Sequence, residues 1–384
     1  MFLPSNIKLH VILAVLCAAA WMAQQLPVRR SRLLQNSVPN PIGYVAVAVP
    51  LILFSGLRGN YGDTLFYRHS YILQLEKGVG KPAGWFHGNG LFSMVQYWCA
   101  TGKELVHNGE PVWGQLMLLV ISMCFLIPAV WVLYRYADGY AMAVFFFFAT
   151  GTFMSSMNGI RQYAAAGILL MATRFLFEDN LWHGLLRYLP FCVLAWTMHS
   201  SALVMIPIFF VVRFRAFSWM SYLMLAGSVL AVLGSSFIMP GFLSSLKDTE
   251  FSVYATGGWF NSTDGVNILR VAAVLAPLVP AYLLRDDLQA LGRQGDILIN
   301  LNFLNAAIYV IGLYNWIFVR FTIYLSIYHV LLLCKLFSIL KKKMGAMNIY
   351  SLGGMAAYFY YSSVANYDFI DFSNYWFPWL NTIH

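Results

Sequence analysis

Charge is scarce in this 384-residue chain. Asp, Glu, Lys and Arg make up 10% of it, where about 25% is usual for soluble domains. So few charges do not cover the surface of a soluble domain of this length. A cytosolic globular enzyme, a disordered protein and a nucleic-acid binder are thereby excluded. Cysteine is also rare. Cys17, Cys99, Cys124, Cys192 and Cys334 form no CxxC pair, so neither a zinc site nor a disulfide framework is expected. No GxxxxGK[ST] and no strand-linked GxGxxG occurs, so no nucleotide site is indicated. His69, His87 and His107 lack i, i+4 ligand spacing, and Asp286-Asp287 are adjacent rather than spaced by one residue. No metal and no cofactor are expected.

What is abundant is apolar. Hydrophobic residues reach 60% and aromatic residues 17%. Apolar runs fall at about 9–26, 41–57, 113–134, 140–157, 162–177, 185–212, 218–238, 267–284, 297–314, 318–340 and 347–364. Most have the length of a membrane-spanning helix. The expected fold is therefore all-α, a polytopic membrane protein forming a single domain over 1–384. The run 185–212 is too long for one crossing and holds Pro190 and Pro207, with His199 and Ser200 between them. It reads as two helical segments meeting near His199, a break tolerated against protein or a water-filled cavity.

The net charge of +9 sets orientation, because Lys and Arg gather in short cytoplasmic loops. Placing Arg29, Arg30 and Arg32 inside also places Arg135, Arg174, Arg213 with Arg215, Arg285 with Arg293, and Lys341-Lys342-Lys343 inside. This holds if 185–212 crosses twice, giving about twelve transmembrane segments with both termini outside. Lys8 alone argues for the opposite placement of the first helix. The outer face then carries two large loops, 58–112 and 239–266. The first includes Leu91-Phe92-Ser93-Met94-Val95-Gln96-Tyr97-Trp98, the pattern of a helix lying on the membrane surface. Asp248, Glu250 and Asp264 in the second have no distinguishing spacing.

This topology brings a polar set to the outer boundary: Arg58, Asp63, Tyr67, Arg68, Asn158, Arg161, Gln162, His199 and Arg320. Ionisable groups at membrane depth are costly and face a cavity or a partner. Arginines gathered at one level suit phosphate oxygens, which the planar fork meets in paired hydrogen bonds. Each residue also has a structural reading. Interfacial arginines snorkel, a kink histidine satisfies a freed carbonyl, and Asp63 after Gly62 suits a turn.

Four segments carry a family resemblance. Arg58-Gly59-Asn60-Tyr61-Gly62-Asp63-Thr64-Leu65-Phe66-Tyr67 resembles the early signature of EpsG-type polysaccharide polymerases, although the Thr that usually precedes the aspartate is missing. Asn158-Gly159-Ile160-Arg161-Gln162-Tyr163-Ala164-Ala165 resembles their central motif. Trp196-Thr197-Met198-His199-Ser200-Ser201-Ala202-Leu203 is similar to their His-x-Ser-Ala segment. Arg320-Phe321-Thr322-Ile323-Tyr324 resembles a late Arg-aromatic helix start. The resemblance implies a Wzy-type polymerase in the bacterial inner membrane with a GT-C-like arrangement. Such proteins join oligosaccharide repeat units carried on undecaprenyl diphosphate at the outer, periplasmic face. It implies membrane lipid, a flippase and a chain-length regulator as neighbours, and no nucleic acid.

Glycosyl transfer from a lipid diphosphate needs fixed cations for the departing diphosphate, and Arg161, Arg58 and Arg320 are the candidates. It also needs a proton acceptor for the attacking hydroxyl, for which His199 and Asp63 are the candidates. Asn158, Gln162 and Tyr67 are the supporting residues. Two other readings compete: an O-antigen ligase, and a polysaccharide-lipid flippase or other transporter. A transporter should carry paired helical repeats, and the sequence has none.

Overall fold

The computed structural model describes residues 7–26, 29–30, 37–78, 82, 84–235, 237, 241, 265–344 and 373–377. The apolar run 347–364 and nearly all of the expected outer loop 239–266, with Asp248, Glu250 and Asp264, lie outside them. The described chain is mostly helical, as expected. It divides into two units, one of residues 1–207 and 340–384 and one of residues 208–339.

In the first unit the helices are α1 (Ile7–Gln24), α2 (Pro41–Gly56), α3 (Thr64–Glu76), α4 (Gly90–Thr101), α5 (Gln115–Tyr136), α6 (Tyr140–Ala149), α7 (Thr152–Ser155), α8 (Ile160–Met171), α9 (Thr173–Leu176) and α10 (Leu181–Met198). Three two-stranded antiparallel pairs accompany them: β1 (Arg29–Arg30) with β2 (Ser37–Val38), β3 (Arg58–Asn60) with β6 (Ser373–Asn374), and β4 (Val106–His107) with β5 (Glu110–Pro111). Caps set several helix starts. The Asn40 side chain accepts the Ile42 N–H at 3.0 Å ahead of Pro41, and Asn180 accepts the His183 N–H at 3.0 Å. Such residues satisfy donors that a helix start leaves open.

α5 packs against both α2 and α8, and α1 packs on α6 and α2. The buried rings of Phe125, Phe147, Phe148 and Phe153 fill the core. α8 meets α5 through Ala164, Ala165, Ala166 and Gly167, all of them buried. A Cβ on Gly167 would stand 2.0 Å from the Cys124 carbonyl oxygen. Small residues allow this backbone approach. Gly167→Ala must push the two helices apart, at a cost of about 1–3 kcal/mol. The expected result is a lower Tm of the purified protein; an unchanged Tm would show that the α5–α8 contact carries little of the stability.

The second unit begins within α11 (Met205–Val211), runs through α12 (Trp219–Leu233), the short helices α13 (Ile268–Leu275), α14 (Leu278–Leu283) and α15 (Arg285–Gln289), and α16 (Arg293–Ile311), and ends within α17 (Ser326–Met344). α16 packs along α12. Buried Asn300 donates to the Val212 and Phe214 carbonyls at 3.2 and 2.7 Å and accepts from Ser221 at 2.7 Å. Asn300 thereby ties α16 to the turn between α11 and α12.

Among the described residues, α5 is the one single helix long and apolar enough to cross a membrane. The 3₁₀ segment Trp316–Tyr324 with Ser326–Lys343 passes as a pair bent by 68°. The other apolar helices have 10–17 residues. The expected twelve crossings thus have one or two full-length counterparts here. The run 140–157 is interrupted at Thr150 and Gly151, and Gly151 takes a left-handed φ of 74°. The expected break at His199 is present: α10 stops at Met198 and a 3₁₀ turn, Ser200–Val204, follows. The segment expected as the first outer loop, 58–112, contains β3, α3, α4 and the β4–β5 hairpin. Within it, α4 buries Phe92, Val95 and Cys99 and exposes Trp98, the amphipathic helix that its pattern indicates.

Candidate functional site

The first turn of α8 is where the sequence motifs meet. Gly159 precedes it with φ 68°, and no side chain of its own turn caps the helix. Gly159 O accepts the N–H groups of Gln162 and Tyr163 at 2.9 and 3.2 Å. A helix start concentrates partial positive charge and free N–H groups.

Residues of the early motif dock on this turn. Asp63 Oδ2 accepts the Gly159 N–H at 2.8 Å. Gly62 lies so close to Asn158 that a Cβ on Gly62 would come within 3.0 Å of the Asn158 Cβ. Arg161 Nε donates to Tyr67 Oη at 3.2 Å, and its guanidinium lies 5.8 Å from the Tyr67 ring centre and 5.4 Å from that of Phe92. The two ring contacts fix the guanidinium. Its terminal nitrogens, Nη1 and Nη2, have no hydrogen-bond partner among the described residues. Asn158 is exposed beside it.

The His-Ser segment reaches the same turn from the other side. Buried Gln162 donates from Nε2 to Ser201 Oγ at 3.4 Å. Ser201 Oγ and His199 Nδ1 are 2.8 Å apart, and the Ser201 N–H donates to the same Nδ1 at 3.3 Å. A backbone N–H is only a donor, so Nδ1 is an acceptor and the neutral ring carries its proton on Nε2. Asp63, Tyr67, Phe92, Ser201 and His199 are therefore gathered by three residues of one turn, Gly159, Arg161 and Gln162, or one step beyond them.

Arg58 has a different setting. It is 1% exposed, and Nε donates to Thr64 Oγ1 at 2.8 Å. Nη1 donates to the Ser55 carbonyl and to the hydroxyls of Ser55 and Ser122 at 3.3 and 3.5 Å, and Nη2 donates to Met157 O at 3.4 Å. Burial, with the like charge of Arg68, lowers its pKa to about 9, so it keeps its charge at neutral pH. Arg68 lies beside it, donating to the Trp113 carbonyl at 2.9 Å, the Arg58 carbonyl at 3.0 Å and Gln115 Oε1. Arg320 belongs to the second unit, where its guanidinium lies 5.3 Å from the Trp316 ring centre.

Sequence reading did not single out Phe92, Ser201, Gln115 or Glu104. Glu104 accepts Tyr71 Oη at 2.6 Å and the Gly114 N–H at 2.9 Å, anchoring the start of α5. Ser201 lies within the His-Ser segment and Phe92 within the amphipathic stretch 91–98, and those are the signals the two carry. Glu104 and Gln115 carry none, because their partners come from distant positions.

No curated protein and no solved structure matches the chain. A family model does, and its span of residues 42–381 takes in all four motif segments. The family is one of membrane-associated, polymerase-like proteins of polysaccharide biosynthesis. With the early, central and His-Ser segments meeting at one helix start, and a matching model over most of its length, the chain belongs to the EpsG family.

Proposed function

We propose that the protein is a multi-pass glycosyltransferase of the bacterial inner membrane that polymerises oligosaccharide repeat units carried on undecaprenyl diphosphate, with its site on the periplasmic side. The observation that carries this reading is the Arg161 fork, fixed by two aromatic faces while Nη1 and Nη2 stay open at a helix N-terminus. That fork matches two diphosphate oxygens, and the helix start adds N–H groups for an anion.

In the reaction, a hydroxyl of the acceptor unit attacks the anomeric carbon of the donor chain. The bond from that carbon to the diphosphate oxygen breaks. The leaving diphosphate gains charge, which Arg161 and the α8 terminus meet as it forms. The hydroxyl proton passes to a base, and Asp63 is favoured. One of its oxygens is held by Gly159, and the other has no hydrogen-bond partner among the described residues. His199, with Nδ1 facing the Ser201 N–H, presents Nε2–H and serves as a donor. Arg58 is reassigned from ligand to positioning residue, because its guanidinium is buried and its donors are turned to protein acceptors.

Two experiments test this. Purified full-length protein in nanodiscs, given only the lipid-linked repeat unit, should yield a ladder of longer lipid-linked glycans. A requirement for a sugar nucleotide, or no ladder from active material, sinks the reading. Within it, Asp63→Asn should lower kcat by about 10²-fold or more. His199→Gln, whose amide supplies an N–H, should lose about tenfold or less. The reverse ranking moves the base to His199.

A further inference from the structure

The site's corner is closed by a segment from far along the sequence. β6 pairs with β3, Asn374 opposite Arg58 and Ser373 opposite Asn60. The approach is close: a Cβ on Gly59 would stand 2.6 Å from Ser373 Oγ and 3.1 Å from Tyr375 Cε2. Buried Asn374 accepts the N–H groups of Trp376 and Phe377 at 3.0 and 2.9 Å, which fixes the turn that follows. This turn holds two rings together with a third. Tyr375 is 45% exposed, its ring centre lies 5.7 Å from the Arg68 guanidinium, and the rings of Tyr375 and Trp376 are 6.3 Å apart. His107, from the β4–β5 hairpin, lies 5.3 Å from Trp376 and 6.5 Å from Tyr375. Exposed Glu110 pairs with His107 across that hairpin.

We propose that Tyr375, Trp376 and His107 form a platform on which sugar rings of the glycan stack. Pyranose rings present apolar C–H faces edged by hydroxyls. They fit aromatic faces rimmed by polar groups, and here the Tyr375 ring is exposed while Trp376 and His107 are half-buried beside it; an acyl chain gains nothing from Glu110 or His107. A platform of this kind must be rigid, since ordering mobile rings costs affinity. Here the β3–β6 pairing and the Arg68 cation provide the rigidity. Its place relative to the diphosphate fork follows from α3. Tyr67 touches Arg161, and the next residue, Arg68, touches Tyr375. Consecutive helical residues point about 100° apart on a cylinder roughly 10–12 Å across with its side chains. Fork and platform therefore flank one helix, within reach of a few linked sugars. The identification of the glycan as the transferred chain rests on the polymerase reading; the platform itself does not.

The test uses full-length protein in nanodiscs and oligosaccharide fragments of the host cell's own surface polysaccharide, free of lipid and phosphate. Binding is read by tryptophan fluorescence and calorimetry. Wild type should bind. Tyr375→Leu and Trp376→Leu should each weaken binding about tenfold, the loss of one stacked ring. Tyr375→Phe should stay within about twofold, since it keeps the ring. Arg161→Ala should bind these fragments as wild type does. That pattern supports the platform even if no ladder forms in the polymerisation assay. No binding by well-folded wild type overturns it, as does equal binding by Tyr375→Leu. So does a Leu effect confined to detergent or lipid partition, which would make the rings a membrane anchor.

Discussion

Arg161→Lys is expected to abolish long surface glycan, with polymerisation in vitro reduced about 10²–10³-fold, the scale of losing one preorganised transition-state donor. Lysine keeps the charge but loses everything that this site arranges. The planar group stacked on Tyr67 and Phe92, the Nε–H donated to Tyr67 and the paired terminal nitrogens all belong to guanidinium. Arg161→Ala should fall at least as far. Both variants should fold, because Arg161 is only part-buried and bonds a single side chain. A gel of surface glycan reads the result and separates the competing classes. A polymerase defect leaves single repeat units on the acceptor, whereas a flippase defect leaves none. A normal ladder from stably expressed Arg161→Lys would remove the diphosphate fork from the mechanism.

Arg58→Met is expected to fail earlier, at folding. The change strips donors from the Ser55 and Met157 carbonyls and from the Thr64 and Ser122 hydroxyls, which lie on different segments. Buried acceptors left without donors cost about 1–3 kcal/mol each. Losses of that size consume much of a stability of roughly 5–15 kcal/mol. The measurement is the Tm and yield of the full-length variant beside Arg161→Ala. A normal Tm with activity lost would return Arg58 to direct contact with the ligand.

These two arginines show what could be read from the sequence and what could not. Both look alike as cations at the ends of apolar runs, and the sequence marks both as candidate phosphate ligands. Their difference lies in tertiary surroundings. Arg58 turns inward because polar groups of four residues from separate segments, Ser55, Thr64, Ser122 and Met157, converge on it, and no local spacing encodes that convergence. The helical class follows from the long apolar runs, and the break at His199 follows from two prolines and a polar pair inside one of them. The interruption of 140–157 is not legible, since Thr and Gly inside an aromatic-rich run leave the hydropathy intact while a left-handed Gly151 ends the helix. The link from Gln162 through Ser201 to His199 was half visible: the motifs named the residues, and only the fold supplied the contact. The β3–β6 pair was invisible, because strands of two or three residues carry no periodicity to detect.

That pairing also has a consequence for biosynthesis. Arg58 and Asn374 are far apart along the sequence, so their ladder closes only after residue 374 has been translated. A nascent chain arrested before residue 373 would display its arginine-rich corner with one wall missing. Assembly of this corner is thereby coupled to synthesis of the segment around Asn374.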